Sequence, residues 1–234
     1  MSMNLAIVGY GKMGRMIEQL APEYGFDVKL KLDIDNNARQ EGLTPENFRE
    51  IDVAVEFSVP EAVVANLLRL AELGVNAVTG TTGWTHEIPR VREAVERHGT
   101  ALVWAPNFSI GVNVFMRLVS EAARLFASQP DYGAWGWEIH HDAKVDAPSG
   151  TMLKLVELMK RAGYDRRIDV ASNRAGKIPG THEIGFDSAA DTITLRHQAR
   201  SRIGFAAGAL TAARWVVGKK GFYEFSEILF SDSD

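Results

Sequence analysis

The sequence predicts an α/β protein in which a doubly wound parallel sheet is joined to a second, α+β domain. Three observations predict it. Short apolar runs alternate with helix-like stretches as far as Pro106; a glycine-rich turn, Gly9 to Gly14, follows the first of those runs; and beyond Asn107 a long helical stretch gives way to strand-like segments separated by turns that contain glycine and proline.

Leu5-Ala6-Ile7-Val8 is unbroken and apolar, as a strand buried on both faces is, and residues 13–21 carry the spacing of an amphipathic helix. Val28-Lys29-Leu30-Lys31-Leu32 alternates as a second strand, and Val53 to Phe57 gives a third. Pro60 then opens a helix expected over 61–73, because a proline there lacks only an amide that would be unpaired anyway. Residues 76–79 make a fourth strand, 88–97 a helix and 101–104 a fifth strand. Strands separated by helices are what parallel pairing requires. Beyond them the sequence predicts a helix over 112–126, a strand over 135–140, a helix over 150–161 and strands over 168–172, 181–187 and 192–199 in a mixed or antiparallel sheet. A helix over 206–217 and a strand over 222–229 are expected to return to the first domain.

At 234 residues, 46% hydrophobic and 24% charged, the chain can build one large core or two modest ones. A formal charge of −4 without a block of like charges excludes nucleic acid and an anionic membrane surface as expected partners. The absence of cysteine removes disulfides, thiolate nucleophiles and zinc–thiolate sites, so any redox chemistry must come from a cofactor. No apolar run approaches the roughly 20 residues of a membrane span. The amino terminus has no signal-peptide pattern, and a cytoplasmic location is expected.

Gly9-Tyr10-Gly11-Lys12-Met13-Gly14 fits G-x-G-x-x-G between a strand and a helix, the context in which glycines let the backbone approach a pyrophosphate at a helix amino terminus. The first domain is therefore Rossmann-like. Asp33, about twenty residues past that turn, ends the second strand, where a carboxylate accepts from the ribose hydroxyls and favours NADH; Lys12 and Arg39 keep NADPH open by offering charge to a 2′-phosphate. Two further loops, Gly80-Thr81-Thr82-Gly83 and Ala105-Pro106-Asn107-Phe108, follow strand carboxyl ends that line the ligand crevice of such sheets; they hold the nicotinamide, with Phe108 packed near its ring, or are plain turns with Phe108 in the core. The domain assignment is then 1–108 plus 208–234 for the dinucleotide and 109–207 for substrate binding and oligomerisation.

Glu138-Ile139-His140-His141-Asp142-Ala143-Lys144-Val145-Asp146-Ala147-Pro148-Ser149-Gly150-Thr151 concentrates titratable groups in front of a helix. Ser149 to Thr151 would present amides and the positive helix end to a carboxylate, Lys144 adds a full charge, and His140 titrates near neutrality. A metal is not expected, because adjacent histidines on a strand point to opposite faces. Met152, Leu155, Val156 and Met159 fall on one helix face and are expected in the core. Arg174, Lys177, His182, Arg196, His197, Arg200 and Arg202 make 174–202 positive, some of them facing the same site or scattered over a sheet.

This segment closely resembles the signature of the 4-hydroxy-tetrahydrodipicolinate reductase family, formerly dihydrodipicolinate reductase. It is joined in order by the Gly9 turn, by Gly80-Thr81-Thr82-Gly83 and by Asn107-Phe108-Ser109-Ile110-Gly111-Val112-Asn113; Glu56-Phe57-Ser58 stands where aspartate-phenylalanine-threonine is more usual. The resemblance implies NADH- or NADPH-dependent reduction of a cyclic dicarboxylate in diaminopimelate and lysine biosynthesis, by a homotetramer built through the second domain's sheet. It implies His140 as proton donor or acceptor, Lys144 as proton donor, and His141, Lys144, Gly150 and Thr151 as substrate ligands. Gly9, Tyr10, Gly11, Lys12, Met13, Gly14, Asp33, Gly80, Thr81, Thr82, Ala105, Pro106, Asn107 and Phe108 are implied as cofactor ligands. An amino-acid dehydrogenase and a dinucleotide-sensing regulator are the competing readings.

Overall fold

The computed structural model describes residues 2–231; Met1 and residues 232–234, at the ends of the expected first domain, lie outside them. Along the chain run β1 (Met3–Val8), α1 (Lys12–Leu20), β2 (Phe26–Leu32), α2 (Ile34–Asn37), β3 (Val53–Glu56), α3 (Pro60–Glu72), β4 (Asn76–Thr79), α4 (Ile88–His98), β5 (Ala101–Trp104) and α5 (Ile110–Ala127). There follow β6 (Gly133–His140), α6 (Gly150–Arg161), β7 (Ile168–Arg174), β8 (Thr181–Asp187), β9 (Thr192–Gln198), α7 (Ile203–Val216), β10 (Gly221–Glu224) and α8 (Phe225–Phe230). The chain divides into two compact units, Met1–Ile110 with Ile203–Asp234, and Gly111–Arg202. The return to the first unit falls earlier than position 208 because α7 already starts at Ile203.

The first unit is a six-stranded sheet in the order β10-β5-β4-β3-β1-β2, parallel throughout. Its central strands are apolar on both faces, since Leu5, Ile7, Val53 and Val55 enter one core and Ala6, Val8 and Ala54 the other. α7 joins this sheet through small side chains: Ala206, Ala209, Ala212 and Ala213 are fully buried. Asn76 pins the returning segment, donating to the carbonyls of Val216 (2.7 Å) and Lys219 (3.2 Å) while accepting from the Ala101 amide (2.8 Å).

One element differs from the sequence expectation. The strand expected over 222–229 stops at Glu224 and continues as α8. β10 has only β5 to pair with, and that ladder ends at Glu224 opposite Trp104. Beyond it the Glu227 carboxylate accepts from the Glu224 amide (2.8 Å), capping a helical turn that seats Phe225 against Phe108 with ring centroids 4.9 Å apart.

The second unit is a four-stranded mixed sheet, β7-β6-β8-β9, in which β6 pairs parallel to β7 and antiparallel to β8. Met152, Leu155 and Met159 of α6 and Val119 and Ala123 of α5 are fully buried against Ile184 and Phe186 of β8. Such side chains stabilise by about 1.5 to 3 kcal/mol each for the larger ones. The opposite face of the sheet carries Trp135 and Trp137, which line a hollow of about 480 Å³ with Asp169 and Glu183.

Candidate active site

β1 ends at Val8 and the chain must turn at once into α1. Gly9 makes that turn at φ +94°, and a Cβ there would lie 2.3 Å from the Phe57 carbonyl oxygen, so both the conformation and the space demand glycine. At Gly14 a Cβ would fall 2.4 Å from the Gly9 carbonyl oxygen, which is how closely α1 sits on the turn. Gly11 is different. It caps α1, no protein atom lies within 4 Å of where its Cβ would be, and the first amides of the helix have no intrahelical acceptor.

Gly9, Gly11, Asp33, Arg39, Ser58 and Asn66 are among the residues lining a cavity of about 610 Å³. Asp33 follows β2 directly and its amide donates to Asn36 Oδ1 (2.8 Å). Ser58, which lines the cavity, bonds to a buried carboxylate: Glu56 accepts from Thr79 Oγ1 (2.6 Å), from Ser58 N (3.1 Å) and from Ser58 Oγ. The aspartate-to-glutamate difference noted in the sequence is thus absorbed inside the fold by hydroxyl donors.

The remaining sequence-predicted cofactor residues take several positions. Tyr10 bonds to Glu18 through its hydroxyl and lies between Arg15 and Lys31, each within about 5 Å of its ring centre. Lys12 is exposed at the start of α1, while Met13 packs partly into the core. Gly80 abuts the Phe57 ring. Thr82 is exposed, and the carbonyl of Thr81 accepts from Trp84 Nε1 (2.8 Å) while its hydroxyl is buried without a protein partner. Ala105 is buried, Pro106 exposed, and Asn107 Oδ1 accepts from the Ser109 amide (2.8 Å). Of the two readings of Phe108 the structure takes the core one: its ring is 1% exposed between Phe57 and Phe225, which leaves its backbone to face a ligand. The open space at Gly11 and the carboxylate of Asp33 on one cavity suit a dinucleotide.

In the second unit, strand register assembles the other cluster. Glu138 stands opposite Ser172 on β7 and His182 on β8, and His140 stands opposite Arg174. Because strand side chains alternate, Glu138 and His140 share the inward face with all three. Glu138 is fully buried and accepts from Ser149 N (2.9 Å), Ser149 Oγ, Ser172 Oγ (2.9 Å) and Arg174 Nη2 (3.2 Å). Its other neighbours are His182 Nε2 at 3.5 Å and His140 Nδ1 at 3.8 Å. Ser149 caps α6, accepting from Met152 N (3.2 Å). Lys144 Nζ binds Asp146 Oδ1 (2.7 Å), and the other Asp146 oxygen accepts from Gly150 N (3.3 Å). An internal carboxylate therefore already bridges the cation and the helix end that the sequence points to as an anion site. His141 lies outside this face, half-buried, its carbonyl closing a turn to Lys144 N (3.1 Å).

Burial disfavours charge on both inward histidines. It lowers His140, which Glu138 partly restores and Lys144 and Arg174 oppose, and it pushes His182 down to about 4 with further opposition from His140. Burial acts on Glu138 in the opposite sense, but the donors of Ser149, Ser172 and Arg174 prevail and hold its carboxyl below the usual range. The site at neutral pH is one carboxylate, one guanidinium and neutral imidazoles. A stability consequence follows. An unfolded His182 takes a proton near its ordinary value of 6.5, and the folded one only near 4, so stability is lost as pH falls through that window. The loss amounts to about 3 kcal/mol by the lower end. Urea unfolding at pH 7 and at about pH 4.5 should show it, and His182→Gln should remove His182's share; parallel losses in both proteins would contradict this origin.

Glu138 stands in the sequence-level segment without a role, and Arg174 and His182 stand there only among the basic residues of 174–202, some of them expected to face the same site. The i, i+2 spacing of Glu138 and His140 signals a shared face, but the partners come from strand register, which sequence spacing does not specify. Among the described residues, Glu138, His140 and His182 offer ligand atoms within 4.8 Å of one another, so the histidine neighbouring His140 is His182 and not His141. The Glu138 oxygens in that group are already occupied by hydrogen bonds. Of the remaining basic residues, Arg196 pairs with Glu183 and Lys177 with Asp142, while His197 is against Phe115 with ring centroids 5.9 Å apart.

Two family models match the chain, the amino-terminal part of dihydrodipicolinate reductase over residues 3–108 and its carboxyl-terminal part over 111–229. A 4-hydroxy-tetrahydrodipicolinate reductase of Christiangramia forsetii is 35% identical over 97% of this chain and 98% of that protein, and one of Archaeoglobus fulgidus is 32% identical over 97% and 100%. In solved structures, a dipicolinate-bound dihydrodipicolinate reductase from Paenisporosarcina sp. TG-14 shares the fold with a TM-score of 0.82 at 24% identity, over 97% of this chain and all of that one.

Proposed function

The chain belongs to the dihydrodipicolinate reductase family, and on that premise we propose that it reduces 4-hydroxy-tetrahydrodipicolinate to tetrahydrodipicolinate in diaminopimelate and lysine biosynthesis. It is an oxidoreductase that depends on a nicotinamide cofactor. The reaction adds a hydride and a proton to the substrate and releases its hydroxyl as water.

One observation carries the substrate reading: Asp146 joins Lys144 Nζ and the Gly150 amide through a single carboxylate. A carboxylate of the substrate would find the same two donors, with Thr151 and His141 next to them, while the buried His140 and Lys144 supply and accept protons. The reduced nicotinamide supplies the hydride when bound. Gly9 to Gly14, Asp33, Gly80 to Thr82 and Ala105 to Phe108 are the residues assigned to hold it, the last of these through its backbone. The position of Asp33 on the cavity and the open face of Gly11 support that assignment.

NADH is the preferred cofactor in this reading, because Asp33 lines the cavity and would face the ribose, although Arg39 lines it too. Asp33→Ala should raise KM for NADH about tenfold, the worth of one charge-assisted hydrogen bond, and leave KM for NADPH unchanged or lower. Steady-state kinetics with each cofactor decide it, and equal losses for both would remove Asp33 from the ribose. The outer sheet face bearing Trp135 and Trp137 is the surface on which a homotetramer would assemble, and the enzyme is assigned to the cytoplasm. Among the described residues no helix is long and apolar enough to cross a membrane.

The experiment is a coupled assay in which freshly generated 4-hydroxy-tetrahydrodipicolinate meets the protein and either reduced cofactor while nicotinamide absorbance is followed. Rapid substrate-dependent oxidation supports the function and ranks the cofactors. Folded protein that binds dinucleotide but gives no oxidation would reject it.

A further inference from the structure

The hydrogen-bond capacity of Ser149 determines where a buried proton must sit. Its hydroxyl has one proton and two acceptor sites. Met152 N can only donate to it, and ionised Glu138 can only accept from it. The proton of Ser149 therefore points at Glu138, and the third partner, His182 Nε2 at 3.2 Å, has to donate. That assigns the His182 tautomer with hydrogen on Nε2. Its Nδ1 is then a bare lone pair, and that atom is indeed buried without a hydrogen-bond partner.

We propose that His182 is a positioning residue: as a buried neutral donor it completes the Ser149 cap, fixes the first turn of α6, and so aims the Gly150 and Thr151 amides at the substrate carboxylate. The inference rests on the reading that this helix end binds the substrate. The chain of contacts is short. β8 register puts His182 opposite Glu138, Glu138 takes both the amide and the hydroxyl of Ser149, and Ser149 precedes Gly150 directly. The His140 ring lies edge-on to His182 with centroids 5.0 Å apart, so the same side chain also limits where His140 can turn. The titratable groups acting on His182 are Glu138 and His140 from β6, Lys144 from the loop before α6 and His197 from β9, while Arg174 from β7 and Asp146 act on the neighbouring His140. Burial, first among the causes, keeps the ring neutral, and a neutral ring that donates from Nε2 carries its lone pair on the unpartnered Nδ1.

Three measurements test this. Nitrogen-15 NMR of the wild-type histidines at pH 7 should show His182 protonated at Nε2 alone. Calorimetry with pyridine-2,6-dicarboxylate, a stable cyclic dicarboxylate, should show binding about tenfold weaker in His182→Leu, for one lost hydrogen bond, and near wild-type in His182→Gln, whose amide keeps a donor in the same place. In the assay, KM for the dicarboxylate should rise in His182→Leu by more than kcat falls, with KM for the nicotinamide cofactor unchanged. A merely structural role would lower thermal stability without that selectivity. Hydrogen on Nδ1, or unchanged dicarboxylate affinity in folded His182→Leu, would overturn the proposal; if the leucine variant does not fold, the wild-type tautomer decides. A wild-type protein that binds no dicarboxylate would instead refute the substrate reading, and the tautomer would still report the Ser149–His182 bond.

Discussion

Lys144→Ala should lower kcat/KM for 4-hydroxy-tetrahydrodipicolinate by about a thousandfold while leaving the fold intact. Two losses combine. The ammonium shares the Asp146 carboxylate with the Gly150 amide, and a charge-assisted hydrogen bond is worth about 1.5 to 3 kcal/mol, or roughly ten- to a hundredfold in KM. Loss of a positioned proton donor removes about a further 10² in kcat or more. The structure adds a third effect. Asp146, now held by Lys144 Nζ at 2.7 Å, would be left as an unpaired carboxylate beside the same helix end and would repel the incoming one. Adding Asp146→Asn to Lys144→Ala should therefore recover part of KM and none of kcat. Lys144 lies in a loop with a quarter of its side chain exposed, so thermal stability should hardly move. If kcat stays at the wild-type value and only KM rises, Lys144 binds the substrate but does not protonate it.

Much of the fold was legible because its strands carry patterns that local physics fixes. Leu5 to Val8 is apolar without interruption since both of its faces are covered, and the helix after it could only begin at a glycine turn. Pro60, Ser149 and the glycines after α4 and α6 mark ends by backbone chemistry alone. The last strand was misjudged for a reason of the same kind. Phe222 to Leu229 has strand-like composition, but a strand extends only as far as its neighbour offers partners, and β5 stops at Trp104. Composition does not carry that information; pairing does.

The site was legible in part, and the division is physical. The glycines of the first turn are legible because the turn after β1 demands them, while Asp33, His140 and Lys144 are candidates by residue type and position. Phe108 is ambiguous by type, since an aromatic after a strand end serves a ligand or a core equally well, and here Phe57, Phe225 and the close approach of Gly208 to the Phe108 carbonyl enclose it. Glu138 was seen as one titratable group among many. Its importance comes from β7 and β8 flanking β6, one parallel and one antiparallel, a choice that brings Ser172 and His182 to its two sides. A single-residue slip of either strand would turn those partners to the face of Trp135 and Trp137.

That dependence makes Glu138 the residue whose loss should cost the second unit most. Glu138→Leu leaves the Arg174 guanidinium, whose side chain is 18% exposed, without its carboxylate and three serine donors without their acceptor. Breaking a buried pair from one side costs about 3 to 5 kcal/mol, a large share of a typical 5 to 15 kcal/mol total. The cost is that of the orphaned charge and not of the pair itself. Removing both partners, as Glu138→Leu with Arg174→Met, should therefore return more than half of the loss, even though two polar side chains are gone. Amide exchange in β6 and β8 measures this directly, because those strands open with the second unit and not with the six-stranded sheet. Protection should fall by about two to four powers of ten in the single variant, the same energy expressed as an opening constant, and recover in the double. A double variant no more protected than the single one would mean that the carboxylate is needed for the Ser149 cap and the β6–β8 face in its own right, with Arg174 a minor partner.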